Sequence, residues 1–169
     1  MTVRQIDPAE LSPGEFSHLV CQAVEQEGKS LIIIDSINGY YQAMPEAQFL
    51  NAYLHELLAY LAQQGVTTLI VMAQYGLVGS TMTSPVDVSY LADTVLLLRY
   101  FETGGEIRQA ISVIKKRSSA HERSIREFTI GSQGIQVGQP LKEFRAVLSG
   151  QPEYYGGKEP LLKERNEDS

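Results

Sequence analysis

The sequence predicts an α/β fold with parallel central strands followed by antiparallel hairpins. Its anchor is Leu31-Ile32-Ile33-Ile34-Asp35-Ser36, where four consecutive apolar residues, three of them β-branched, fit a strand buried on both faces of a parallel sheet. Val66 to Ala73 is a second apolar, β-branched stretch, and the helical stripe between the two completes a strand–helix–strand unit with a right-handed crossover. From Thr94 the pattern changes to strands divided by glycine-bearing turns, which is the grammar of hairpins.

The bulk properties narrow the function classes. A chain of 169 residues is one domain by length and long enough to bury a real core. A net charge of −6 argues against an unassisted nucleic-acid surface or a polybasic membrane anchor. No apolar run approaches the roughly 18 residues that span a bilayer, so no membrane role is expected. The single Cys21 cannot form an intramolecular disulfide, which fits a reduced, cytoplasmic protein.

In chain order, Ser12-Pro13-Gly14-Glu15 is a helix start: an N-cap serine, proline at the first helical position, and glutamate three residues after the cap. The helix should run from Pro13 to Glu27, with Phe16, Leu19, Val20, Ala23 and Val24 on its apolar side and Gly28 as its stop. Gly28-Lys29-Ser30 imitates the tail of a phosphate loop. The earlier glycine of that signature is Ala23 here, and a helix precedes and a strand follows, the reverse of the required order. After the anchor strand, Asn38-Gly39-Tyr40-Tyr41 reads as a turn. Pro45-Glu46 then opens a helix with Phe49, Leu50, Tyr53, Leu54, Leu57, Leu58 and Leu61 on one side, ended by Gly65. His55-Glu56 lacks the second histidine of a zinc-protease pair, since position 59 is alanine, and His18, His55 and His121 are too scattered for a metal site.

Tyr75 to Ser84 is a loop rich in Gly, Ser and Thr, and Ser84-Pro85-Val86-Asp87 caps a short helix over Pro85 to Ala92. Thr94 to Phe101 and Ile107 to Arg117 form one hairpin, and Ser124 to Ile130 with Ile135 to Val137 form another. Residues 1 to 150 are expected to make the domain, and 151 to 169, charged and poor in apolar residues, a largely disordered tail.

The candidate chemistry lies at strand ends. Asp35 follows a buried strand, where α/β sheets place their ligands, and could order a metal-bound water near a phosphate; capping the turn that begins at Ser36 is the other use of the same carboxylate. Gln74, at the carboxyl end of the next strand, could sense a phosphate or close a turn. In Val113-Ile114-Lys115-Lys116-Arg117, a period of two puts Lys115 and Arg117 on the face of Ile111 and Val113. That pair would make a small anion claw, or a solvated hairpin end.

Beyond these residues, Asp87-Val88-Ser89-Tyr90-Leu91-Ala92-Asp93-Thr94, Leu97-Leu98-Arg99-Tyr100-Phe101-Glu102, Gly105-Glu106 and the run from Lys115-x-Arg117 through His121 to Ile125-Arg126-Glu127-Phe128 resemble the KaiC family of RecA-like ATPases, in particular the KaiC-like proteins of bacteria that lack a complete clock. The resemblance runs from about Leu31 to Gly138. It implies part of a RecA-like P-loop NTPase fold, a three-layer αβα sandwich, with ATP and magnesium as cofactors. Asp35 matches the family's Walker B aspartate, with Ser36 and Gln74 as candidate nucleotide contacts. Lys115 and Arg117 match the pair that reaches the γ-phosphate bound by a neighbouring subunit. Ser89 and Tyr90 fall at the Ser-Thr pair that is autophosphorylated in clock KaiC, and Tyr90 departs from it. The phosphate loop and the catalytic glutamate pair of the family have no match in the 169 residues; Glu25 and Glu27 lack the context.

Two functions compete on this basis. One is an ATPase or autokinase domain fragment, inactive alone, that meets ATP-Mg at the interfaces of a homo-oligomer or beside a complete KaiC-like subunit. The other is a degenerate RecA-like module for interaction or regulation, without nucleotide turnover. A nucleic-acid partner is disfavoured because the loop from Tyr75 to Ser84 holds no Lys or Arg.

Overall fold

The structure is a computed structural model that describes residues 1–43, 47–73, 90–149 and 152–155. These form two compact units: 1–43, 47–73 and 90–93 in the first, and 94–149 with 152–155 in the second. Among the described residues, no helix is long and apolar enough to cross a membrane.

The first unit begins with α1 (Pro13–Glu25), whose N-terminus is closed as the sequence predicts: Ser12 Oγ accepts from the Glu15 amide, and the Glu15 carboxylate accepts from the Ser12 amide. Then follow β1 (Leu31–Asp35), α2 (Asn38–Ala43), α3 (Ala47–Gln63) and β2 (Thr67–Val71). β1 and β2 pair in parallel, Leu31 opposite Thr67 and Asp35 opposite Val71. Gly28 and Gly65, both with positive φ, turn the chain from α1 into β1 and from α3 into β2.

The core of this unit lies on one side of the strand pair. Ile34 and Val66 are buried with Phe16 and Val20 of α1, Ile37, Tyr40 of α2, and Leu50, Leu54, Leu57 and Leu61 of α3. The rings of Phe16 and Tyr40 pack with centroids 5.2 Å apart. The expected burial of β1 on both faces is not found, because side chains alternate and, among the described residues, the helices cover one face only. Leu31 and Ile33 on β1 are 51% and 58% exposed, and Leu69 and Val71 on β2 are 51% and 44% exposed. The residues expected to form a turn after β1 instead make α2, a helix that the Asn-Gly pair disguised.

The second unit is a four-stranded antiparallel meander of β3 (Thr94–Thr103), β4 (Glu106–Lys116), β5 (Arg126–Gly131) and β6 (Gly134–Pro140). The two predicted hairpins are joined by pairing of β4 with β5, Ala110 opposite Glu127. A small second sheet of β7 (Phe144–Arg145) and β8 (Glu153–Tyr154) closes the end of the unit, so a strand falls within the span expected to be a tail. Phe101, Ala110 and Val147 form the buried centre, flanked by an edge-on contact of Phe101 with Phe144.

Candidate functional site

Asp35 occupies the last position of β1, at the carboxyl end of the parallel pair, with its side chain exposed. It lies on the alternation of Leu31 and Ile33, the face opposite the helices, so the local fold carries this carboxylate to solvent rather than into the core. Ser36 follows, half-buried, joined to Asp35 by a cis peptide bond. The next two residues fasten this corner to β2. The Ile37 amide donates to the Val71 carbonyl at 3.2 Å, and Ile37 itself is fully buried. The Asn38 side chain spans to Ala73 with two bonds: Nδ2 donates to the Ala73 carbonyl at 2.7 Å, and Oδ1 accepts from the Ala73 amide at 2.8 Å. The ladder between β1 and β2 is thus prolonged past the strand ends by a side chain standing in for backbone.

Gln74 and Ser89 lie outside the described residues. Tyr90 is described, exposed, in a turn of the first unit. Burial pushes the Tyr41 hydroxyl up to about 12, with the Tyr90 phenol a secondary cause, and Tyr41 donates to Asn51 Oδ1 at 2.8 Å.

The basic strand end belongs to the second unit. Lys115 is half-buried near the end of β4, and exposed Arg117 follows just beyond it. The expected shared face with Ile111 and Val113 is corrected by a β-bulge. Leu96 pairs with Val113 but its neighbour Val95 pairs with Lys115, leaving Ile114 without a partner across the ladder. That extra residue reverses the alternation, so Lys115 falls on the face of Val95, while Ile111 and Val113 share the face of Leu98 and Leu96. Lys116 pairs with Thr94, on the side opposite Lys115.

The neighbouring cation Arg126 is committed to the architecture. It bonds the Glu122 carboxylate at 2.7 Å and donates to the Gly138 carbonyl of β6 at 2.8 Å. The Arg126 guanidinium, and to a lesser degree Ser124, holds the Glu122 carboxyl below the usual range. Among the described residues, no group of three or more His, Cys, Asp or Glu side chains converges as a metal cage. Magnesium needs no such cage: it takes hard oxygen donors, often one or two from protein with water completing the shell, and Asp35 and Ser36 supply donors of that type. The sequence singles out Asp35 and Ser36 as candidates but not Asn38, whose partner Ala73 is 35 residues away with no local signal to mark it.

The first unit carries a parallel strand pair ending in an exposed carboxylate and the second an antiparallel meander with a cationic end, and the comparisons give this mixed α/β chain part of a RecA-like fold. Against solved structures, the chain matches the KaiC-like protein of the hyperthermophilic archaeon Pyrococcus horikoshii OT3 with a TM-score of 0.63 and 23% identity, over 76% of this chain and 55% of that one. Residues 3–142 match the ATPase family of KaiC, and the chain belongs to that family. It is 31% identical over 140 residues to the circadian clock protein KaiC3 of Synechocystis sp., covering 82% of this chain and 28% of that protein. It is 30% identical over 121 residues to the circadian clock oscillator protein KaiC of Synechococcus elongatus, covering 72% of this chain and 23% of that protein. The chain therefore spans about a quarter of the length of these curated relatives.

Proposed function

We propose that this chain serves a KaiC-like ATPase or autokinase at the subunit interfaces of a cytoplasmic oligomer, either with copies of itself or beside a complete KaiC-like subunit. Asp35, with Ser36 beside it, would hold magnesium through water, and Lys115 and Arg117 would contact the γ-phosphate of ATP held by a neighbour. Magnesium supplies neutralisation of the charge on the β- and γ-phosphate oxygens. The lysine would act as a point charge and the arginine as a planar fork for phosphate oxygens. The observation that carries this reading is the exposed Asp35 carboxylate at the carboxyl end of a parallel pair, in a chain of the KaiC ATPase family. The 169 residues contain no phosphate loop, so the chain by itself should not turn ATP over.

The alternative, a degenerate module that only binds partners, is favoured by one feature, the exposed apolar row of Leu31, Ile33, Leu69 and Val71. Calorimetry with Mg-ATP on the purified chain, with its mass measured by light scattering in the same buffer, separates the two. Micromolar binding to an oligomer, abolished in Arg117→Ala and deprived of its magnesium dependence in Asp35→Asn, is the result expected for the interface role. A stable oligomer that neither binds Mg-ATP alone nor gains nucleotide-dependent association with a complete KaiC-like subunit would establish the binding module instead.

A further inference from the structure

We infer that Asn38 is a positioning residue for the magnesium-facing corner of this protein: its side-chain amide holds the Asp35-Ser36 turn in register with the end of β2. This deepens the proposed function and rests on that reading of Asp35. Two parallel strands of five residues each are a short support for a carboxylate at their last position, since strand ends fray unless something beyond them is tied down. Here the tie is made three residues beyond Asp35, after the chain has already turned into α2.

The geometry of the tie is specific to an amide. Ala73 presents a donor and an acceptor, both answered by Asn38 at 2.8 and 2.7 Å, and only a side chain carrying one N–H and one C=O in a plane can do both at once. Asn38 is 7% exposed, so water cannot readily replace it. Aspartate would set an acceptor against the Ala73 carbonyl, serine is too short to span both groups, and alanine leaves them both unanswered. Asp35 and Ser36 are consequently bracketed, by the Asp35–Val71 pairing on one side and by the Ile37 and Asn38 bonds to Val71 and Ala73 on the other. A carboxylate bracketed in this way spends little conformational freedom on meeting a cation, which is how residues behind a metal ligand raise its affinity.

The test compares wild type, Asn38→Ala, Asn38→Ser and Asp35→Asn as full chains, each alone and mixed with a complete KaiC-like subunit, titrated by calorimetry with ATP in the presence and absence of Mg2+. Hydrogen exchange at the Ala73 amide is followed in parallel. The expected result is faster exchange at Ala73 in both Asn38 variants, with helical circular dichroism retained. The magnesium-dependent gain in ATP affinity should fall about tenfold or more, while the affinity without magnesium stays unchanged. Should Asn38→Ala fail to fold, Asn38→Ser carries the comparison, because its hydroxyl still satisfies one of the two groups. Equal losses with and without magnesium, or no loss in either, would overturn the positioning role while Asp35→Asn still shows the magnesium effect. If wild type and Asp35→Asn are alike in their response to magnesium, it is the reading of Asp35 that falls, and this inference falls with it.

Discussion

Tyr60 on α3 donates its hydroxyl to Glu25 at the end of α1, at 2.6 Å, and the bond links the two helices that build the first core. That bond, with smaller contributions from burial and the nearby charge, pushes the Tyr60 phenol up to about 12 from an ordinary value of 10. A raised pKa on an acid means that the folded state keeps its proton where the unfolded chain has lost it. The stabilisation is therefore complete below pH 10 and declines as pH rises toward about 12. Denaturant titrations of wild type and Tyr60→Phe between pH 8 and about 12 should converge at the alkaline end, and Glu25→Gln should bring the ultraviolet-detected ionisation of Tyr60 back toward 10. Residue roles were unevenly legible from sequence. Asp35 stands out as a candidate because a carboxylate closing a run of apolar residues has a local signature. The face of Lys115 was misplaced because alternation in β4 is interrupted by a bulge, which is set by pairing with β3 rather than by β4 alone. Asn38 stayed hidden because its meaning depends on Ala73, a backbone partner with no residue-type signal.

At the scale of elements, α1 illustrates a unit whose boundaries are written in its own residues. The reciprocal Ser12–Glu15 bonds satisfy orphan amides at its start. Ser12→Ala should cost about 1 kcal/mol, read as a shift in urea midpoint at unchanged slope. Leu61, fully buried in the core of the first unit, belongs to the more expensive class: Leu61→Ala should cost about 2 to 5 kcal/mol. Helix α2 shows the opposite case. Its six residues contain an Asn-Gly pair that by propensity favours a turn, and tertiary contact decides otherwise by burying Tyr40 against Phe16. The meander was legible because hairpin turns carry glycine: Gly104, Gly105 and Gly134 all have positive φ.

For the whole molecule, the strand order from sequence holds, parallel first and antiparallel after, but the expectation of strands covered on both sides does not. A run of apolar residues says that a strand can be buried, not that the described residues bring the cover. Leu31, Ile33, Leu69 and Val71 form one exposed apolar row on β1 and β2, the kind of surface that a second subunit covers. Leu69→Lys should lower the mass seen by light scattering toward that of a monomer, leave helical circular dichroism unchanged, and change stability by less than about 0.5 kcal/mol, as exposed substitutions usually do. Unchanged mass would show that the row is not part of the assembling surface.

The bulge in β4 also governs how this strand could change length over evolutionary time. Because Ile114 faces no residue of β3, its deletion would let Val113 and Lys115 follow one another along a regular ladder while every other pairing stays as it is. Loss of Ser112 would be absorbed at the same bulge, but only by moving Val113 opposite Leu97 and Ile114 opposite Leu96, so that Val113 changes face while Lys115 and Lys116 keep theirs. A library of single-residue deletions through β4, scored for soluble folded protein, should tolerate loss of Ile114, or of Val113 whose place Ile114 would take, better than loss of Ser112 or of residues nearer the turn. The basic strand end keeps its facing in each case, because the bulge takes up the lost residue before the shift in register reaches Lys115.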